Sequence, residues 1–173
     1  MQKVLGVEQP RVGLANIGTE KTKGGPLQLE AYGLMEASSY HFIGNVEARD
    51  VPFGACDVLV ADGFTGNMLL KMYEGVAGAM MANIKGIFKQ NAITKLSALM
   101  IKNGLMDFKK RMDYTEFGGA PLLGSSKPVI KAHGSSNAKA FCSAIRQAKQ
   151  FSETGVIENI ANAVTKSAQA SEA

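Results

Sequence analysis

Short apolar runs alternate with longer segments of helical periodicity along this chain, and this alternation restricts its possible folds more than any other feature. Each run ends in a turn that contains Gly or Asn. The four runs are Arg11 to Ile17, His41 to Val46, Cys56 to Ala61 and Pro128 to Ala132. Strands that alternate with helices form a layered α/β domain with a largely parallel sheet. Because ligands bind at the carboxyl ends of such strands, we expect the functional residues there.

A long helical region separates the third run from the fourth. Apolar residues at spacings of three and four, from Leu69 to Ile87, predict an amphipathic helix. Beyond it, Asn103-Gly104 predicts a break between two shorter helices, Ile93 to Ile101 and Leu105 to Met112.

A further helix is predicted after the fourth run. Its N-cap is Ser135 or Ser136, and Gly155 separates it from a last short helix.

Composition excludes several classes of function. The chain has 173 residues and a net charge of +4, without an arginine-rich arm, so one domain is expected and nucleic acid is not expected as a partner. No apolar window reaches the length of about 18 residues typical of a membrane span, which favours a cytoplasmic protein. Cys56 and Cys142 lack metal-site spacing, so we interpret both as buried, inert thiols.

The segment from Lys131 to Lys139 contains a strand, a glycine turn and a helix start in direct succession. Backbone N–H groups at a helix start favour an anion such as phosphate, and hydroxyl and amide side chains can add donors. The alternative is that a serine only caps the helix and that His133 is an ordinary residue at the strand end. The candidate anion-binding residues are Ser135, Ser136, Asn137 and Lys139.

The segment from Asp62 to Asn67 repeats this arrangement. Asp62 could orient a donor group, and Asn67 could bond a carbonyl or phosphate oxygen. The alternative, slightly favoured from these residues alone, is that Gly63 and Gly66 form a tight turn and Asn67 caps the helix. Because the terminal Gly-Lys-Ser/Thr of a nucleotide-binding loop is missing, the sequence predicts no nucleotide cofactor, and no metal site is predicted.

Two further segments have mainly structural interpretations. Gly118 to Gly124 is predicted to be a flexible loop. Arg49, at the end of the second run, could position a substrate anion, but a surface ion pair with its acidic neighbours is favoured.

Basic and apolar residues are concentrated between Lys85 and Arg111. Seven basic residues and one acid give this segment a charge of seven minus one, or +6. Such a helical segment can contact an anionic bilayer, or it can bury its apolar face against a second subunit. The two are compatible, and dimer packing is favoured.

Together, several blocks resemble the bacterial acyl-ACP:phosphate acyltransferases, the PlsX family, from Met1 to the last helix. The blocks are RVGLANIGTEKTKG, FIGNVEARD, CDVLVADGFTGNMLLKMYEGV, FGGAPLLG and PVIKAHGSSNAKAF. The resemblance implies a three-layer α/β/α fold of the phosphotransacetylase and isocitrate dehydrogenase type, a cytoplasmic homodimer and no cofactor. It also implies that phosphate attacks the thioester of long-chain acyl carrier protein (ACP). The acyl phosphate formed then supplies a membrane glycerol-3-phosphate acyltransferase in phospholipid synthesis, at the inner face of the membrane.

Members of that family are about twice as long as this chain and open with a Gly-Gly-Asp segment that has no match here. Residues 1–173 are therefore expected to be the C-terminal portion of the enzyme, inactive alone, with a helical tip at about residues 68–114. Within the resemblance, Ser135, Ser136, Asn137 and Lys139 would bind phosphate, while Asp62, Asn67 and His133 would shape the cleft or assist proton transfer. The rival functions are a short-chain phosphate acetyl- or butyryltransferase that uses coenzyme A, and an inactive dimerisation or membrane-docking module.

Overall fold

The computed structural model describes residues 2–111, 118–134 and 136–171. The chain divides into two compact units, Met1–Ala82 and Asn83–Ala173, which are considered separately below.

A three-stranded parallel sheet forms the centre of the first unit. Its strand order is β2-β1-β3, and both β2 and β3 pair with β1 in parallel. The sheet confirms the first three predicted strands and the prediction of an α/β fold with a largely parallel sheet. The elements are α1 (Gln2–Leu5), β1 (Val12–Asn16), α2 (Pro26–Glu36), β2 (Phe42–Glu47), a 3-10 turn (Val51–Phe53), β3 (Val58–Val60) and α3 (Gly63–Phe88), the last of which contains the boundary between the units.

The core of the first unit lies between the sheet and α2. Val12 and Leu14 of β1 pack with Met35 of α2, and all three are buried. Tyr32 and Phe42 add an edge-to-face ring contact with centroids 5.1 Å apart. Each fully buried side chain of this size contributes about 1.5–3 kcal/mol, so these residues fix α2 on the sheet.

Two asparagines hold the loop that follows β1. The Asn16 amide donates to the side-chain oxygen of Asn45 at 3.1 Å and to the carbonyl of Lys23 at 3.0 Å. Asn45 is buried and donates to the carbonyl of Glu20 at 2.7 Å. Because buried amides require partners, this network places the loop over the carboxyl ends of β1 and β2.

An ion pair connects the starts of β1 and β3. Arg11 donates to both carboxylate oxygens of Asp57, at 3.1 and 3.0 Å. Its guanidinium also donates to the carbonyls of Gly54, at 2.9 Å, and Ala55, at 3.2 Å. We call these contacts the Arg11 clamp, and it ties the segment after the 3-10 turn to β1.

The second unit contains a two-stranded antiparallel sheet that contacts α6. The fourth predicted strand is present as β5 (Ile130–Ala132), but it pairs antiparallel with β4 (Gly119–Pro121), a strand inside the predicted loop Gly118 to Gly124, and not with the parallel sheet. The elements are α4 (Ala92–Met100), α5 (Lys102–Arg111), β4 (Gly119–Pro121), β5 (Ile130–Ala132), α6 (Ala138–Glu153) and α7 (Val156–Ser171).

Gly118 lets the chain pass directly against α6. A Cβ on this residue would lie 2.2 Å from the backbone nitrogen of Ala144 and 2.7 Å from the carbonyl oxygen of Ala140. Its φ of +79° also lies in the left-handed region. The position therefore requires glycine, and Gly118 lies in direct contact with the backbone of α6.

The helix boundaries of the second unit agree with the predictions in part. Gly155, with a φ of +64°, separates α6 from α7 as predicted. The break between α4 and α5 falls at Ile101, and Gly104 lies inside α5. The prediction of a break at Asn103-Gly104 is wrong because a glycine in the first turn of a helix costs too little to stop it. Met112 and the remainder of the predicted tip, up to residue 114, lie outside the described residues.

The two cysteines have different environments. Both are free thiols; Cys56 is half-buried and Cys142 is exposed on α6. The prediction that Cys142 is buried is wrong because α6 buries another face, which carries Ala140, Ala144 and Phe151. Burial raises the pKa of the Cys56 thiol, which lowers its thiolate fraction and its reactivity.

Candidate functional site

Asp62 caps the start of α3 at the carboxyl end of β3. Its carboxylate accepts hydrogen bonds from the N–H groups of Phe64, at 3.0 Å, and Thr65, at 2.9 Å, and from the Thr65 hydroxyl at 2.6 Å. These bonds, that of the Thr65 side chain above all, lower the pKa of Asp62. The residue is therefore a carboxylate at neutral pH.

The alternative interpretation of this turn is wrong in its details. Gly63, Gly66 and Asn67 all lie within α3, so the two glycines form no separate turn and Asn67 is not the cap. Asn67 lies in the second helical turn and is exposed. Its side chain is therefore available for a ligand above the strand end.

A cavity of about 780 Å³ adjoins Asp62 and Asn67 within the first unit. Most of its wall is apolar and comes from the 3-10 turn, β3 and the first turns of α3. The lining residues are Ala48, Val51, Pro52, Gly54, Leu59, Ala61, Asp62, Gly63, Gly66, Asn67, Leu69, Leu70 and Tyr73.

Asn137 caps α6 in the second unit, so the prediction of a serine cap is wrong for Ser136. The Asn137 side-chain oxygen accepts from the N–H of Ala140 at 3.0 Å. Asn137 has the extended backbone of an N-cap residue, and its side chain is longer than that of serine. Its side-chain amide oxygen reaches the N–H of the third residue of the helix. Ser135 lies outside the described residues.

The remaining candidates of the second unit surround this helix start. His133 is exposed, and its carbonyl accepts from the Ser136 N–H at 3.0 Å. The Ser136 hydroxyl oxygen is inaccessible to solvent and has no hydrogen-bond partner among the described residues. Lys139 is exposed in the first turn of α6. A cation and a helix N-terminus together attract an anion.

The structure thus gathers the predicted residues into two groups. Asp62 and Asn67 belong to the first unit, whereas His133, Ser136, Asn137 and Lys139 belong to the second. Arg49 pairs with Glu47 at 2.8 Å, which agrees with the favoured structural interpretation of this residue.

Two sets of contacts were not predicted from the sequence. They are the Arg11 clamp at the starts of β1 and β3 and the Asn16–Asn45 network at the carboxyl ends of β1 and β2. A detectable signal existed for the clamp, because Arg11 and Asp57 are opposite charges directly before two predicted strands. For the network, the signal was a polar residue inside each apolar run, at Asn16 and Asn45.

The part of the chain that the structure describes contains neither a cluster of metal ligands nor a membrane-spanning helix. No group of three or more His, Cys, Asp or Glu residues there is arranged to hold a metal ion. No described helix is long and apolar enough to cross a membrane.

Two helices, α3 and α6, begin shortly after a strand, and the start of α3 lies beside a mostly apolar cavity. These features are typical of α/β proteins that bind ligands at the carboxyl ends of their strands. Within that class, the chain belongs to the family described as "Fatty acid synthesis protein", the PlsX family, which it matches over residues 1–159. This confirms the resemblance.

Curated relatives agree with this family. The chain is 54% identical to a phosphate acyltransferase of Lysinibacillus sphaericus, over 94% of this chain and 49% of the relative. It is 52% identical to a phosphate acyltransferase of Brevibacillus brevis, over 95% and 49%, and 52% identical to one of Clostridium acetobutylicum, over 92% and 48%. The chain therefore spans about half the length of the curated relatives it matches.

Proposed function

We propose that this chain is the C-terminal half of an enzyme that forms acyl phosphate from long-chain acyl-ACP and inorganic phosphate, for phospholipid synthesis. The observation that carries the proposal is the family match over residues 1–159, joined to relatives named phosphate acyltransferase. Because the relatives are twice as long, we expect no turnover from this chain alone.

The reaction requires little covalent chemistry from the protein. An oxygen of hydrogen phosphate attacks the thioester carbonyl carbon, a C–O bond forms and the C–S bond breaks. The proton of hydrogen phosphate ends on the thiol of the carrier protein. The protein's tasks are to orient phosphate, stabilise the oxyanion on the carbonyl and exclude water.

The start of α6 is the proposed phosphate site. Lys139 supplies positive charge, the helix N-terminus adds its dipole, and Ser136 has a hydroxyl without a partner among the described residues. Ser135 and Asn137 complete the set. In this arrangement Asn137 orients the backbone N–H groups through its cap and offers its amide nitrogen to phosphate.

Asp62, Asn67 and His133 are proposed to act on the thioester. Asn67 is an exposed donor for the carbonyl oxygen, and His133 is an exposed imidazole that could carry a proton. Asp62 is a positioning residue, because its carboxylate is occupied by the start of α3.

Partners follow from charge and exposed apolar surface. The basic segment Lys85 to Arg111 would attract acidic carrier protein and anionic membrane, where a glycerol-3-phosphate acyltransferase would consume the product. Exposed apolar side chains of α4 favour a homodimer, in which a second copy covers them. Those side chains are Ile93, Leu96, Leu99 and Met100.

The test fuses this chain to the N-terminal half of a curated relative, giving what we call the joined protein, and measures the formation of acyl phosphate from palmitoyl-ACP and phosphate. Asn67→Ala and His133→Ala are expected to slow the reaction, and the matched controls Asn83→Ala and His41→Ala are expected to leave it unchanged. Wild-type rates for Asn67→Ala and His133→Ala would remove both residues from the mechanism. Faster turnover of acetyl- or butyryl-coenzyme A than of acyl-ACP would favour the short-chain rival.

The exposed apolar residues of α4 also favour a second candidate, an inactive dimerisation or membrane-docking module. The joined protein distinguishes the two. An inactive protein that still dimerises or floats with anionic liposomes would support the module and contradict the enzyme.

A further inference from the structure

The cavity beside Asp62 is a mostly apolar compartment at the carboxyl end of β3. Its volume of about 780 Å³ lies within the range of about 300–1,000 Å³ that small-molecule sites occupy. Among its described lining residues there is no Lys, Arg or His. An anionic or nucleotide ligand would therefore find no counter-charge on these walls.

Three polar side chains line the cavity, and two of them, Asp62 and Asn67, lie at the start of α3. The third is Tyr73, further along the same helix. The Asp62 carboxylate is satisfied by three donors from Phe64 and Thr65. Leu69 and Leu70 continue the lining along the helix towards the ring of Tyr73, so the compartment is mostly apolar away from the strand end.

The opposite wall is held rigidly. Val51, Pro52 and Gly54 belong to the 3-10 turn and its end. The Arg11 clamp bonds the Gly54 carbonyl at 2.9 Å and anchors the same segment through Asp57. These hydrogen bonds attach this wall of the cavity to the start of β1.

We propose that this cavity receives the alkyl chain of the acyl group, with the thioester at the Asp62–Asn67 end. This inference rests on the proposed function and adds to it the site that determines which lengths of acyl group the enzyme prefers. A flexible apolar chain fits a compartment with one polar end, whereas a compact polar substrate does not. Each methylene transferred from water into the cavity should raise affinity by about 4-fold, until the cavity is filled.

Leu70 offers a way to fill the cavity without disturbing the fold. It lines the cavity yet is 62% exposed, so a larger side chain is tolerated. Met72 lies on the same helix, is 69% exposed and does not line the cavity. Leu70→Trp therefore shortens the compartment, and Met72→Trp adds the same aromatic surface elsewhere.

The experiment measures binding of the neutral octanoyl, dodecanoyl and hexadecanoyl thioesters of N-acetylcysteamine, below the concentrations at which they aggregate, to this chain by calorimetry. The wild-type chain and Met72→Trp should bind more tightly as the acyl chain lengthens, and Leu70→Trp should lose most of the gain in affinity between the dodecanoyl and hexadecanoyl thioesters. Leu70→Asp against Met72→Asp repeats the comparison with a charge in place of bulk. The same length dependence in the Leu70 and Met72 variants, or none in the wild-type chain, would overturn the proposal.

Acyl-phosphate formation is measured separately on the joined protein. Length-dependent binding lost only in the Leu70 variants, without any acyl phosphate from the wild-type joined protein, would contradict the proposed function alone. The cavity would then remain an alkyl-chain site.

Discussion

At Arg11 and Asp57, a single charge pair holds two strands and a turn together. The hydrogen bonds from the Arg11 side chain and backbone lower the pKa of Asp57 from its ordinary 3.8 to about 2. Asp57 is thus more acidic in the folded chain than in the unfolded one, and its charge contributes to stability. The contribution is complete above pH 4 and is lost as the pH falls towards 2.

We predict that Asp57→Asn lowers the free energy of unfolding at pH 7, and that its difference from the wild type narrows between pH 4 and pH 2. Urea unfolding across this range measures the effect. Glu36→Gln is the control, because it removes the exposed Lys21–Glu36 pair, which surface screening makes weak. An equal loss for both variants, or a difference that does not change with pH, would show that the clamp is only another surface ion pair.

Gly118 allows a second prediction at the residue scale. Gly118→Ala should destabilise the chain by about 3 kcal/mol or more, because the added Cβ meets the α6 backbone and the φ is positive. Gly104→Ala, where the Cβ meets nothing within 4 Å, should instead stabilise α5 by about 0.5–1 kcal/mol. Urea unfolding compares the two; a tolerated Gly118→Ala would show that the contact with α6 is not needed.

Among the elements, α6 depends on a cap that also lies in the proposed phosphate site. Asn137→Ala should cost about 1 kcal/mol of stability, and Asn137→Ser should recover most of it because serine also caps. Chemical unfolding measures the contribution of the cap to stability. The phosphate affinity of the joined protein measures the contribution of Asn137 to ligand binding. Restored stability with phosphate affinity still weakened would separate a direct contact of Asn137 from its cap.

How much of these elements the sequence predicts depends on their side chains. The β-branched and leucine-rich runs of β1, β2 and β3 predicted strands, and periodicity predicted α3 and α6. By contrast, the Gly119–Pro121 strand has no β-branched residue, and its pairing with β5 depends on contacts made far along the chain. Local propensity contains no information on such contacts.

The caps show a similar limit in the site. Asp62, Asn137 and the serines are all good capping residues, and only the backbone geometry decides which one begins the helix. The residue types and their places at the strand ends were predictable. Which of these residues caps a helix and which is available to bind a ligand was not predictable.

For the whole molecule, the concentration of charge between Lys85 and Arg111 predicts membrane binding that depends on lipid charge. The chain should float with anionic vesicles and less with neutral ones, and added salt should release it. Lys95→Glu should weaken flotation several-fold, by about 1 kcal/mol or more, whereas Lys127→Glu, an equally exposed change outside the segment, should have a smaller effect. Equal recovery with both vesicle types would contradict this.

The hydrogen bonds of Asn16 and Asn45 have a consequence for the order in which the strand ends come apart. Amides do not ionise, so a fall in pH does not directly weaken the hydrogen bonds that hold the loop at Glu20 and Lys23. The Arg11 clamp, by contrast, depends on a carboxylate. Acid near the Asp57 pKa of about 2 should therefore loosen the starts of β1 and β3 while the carboxyl ends of β1 and β2 keep their shape, and deuterium uptake would rise first around Gly54 and only later around Lys23.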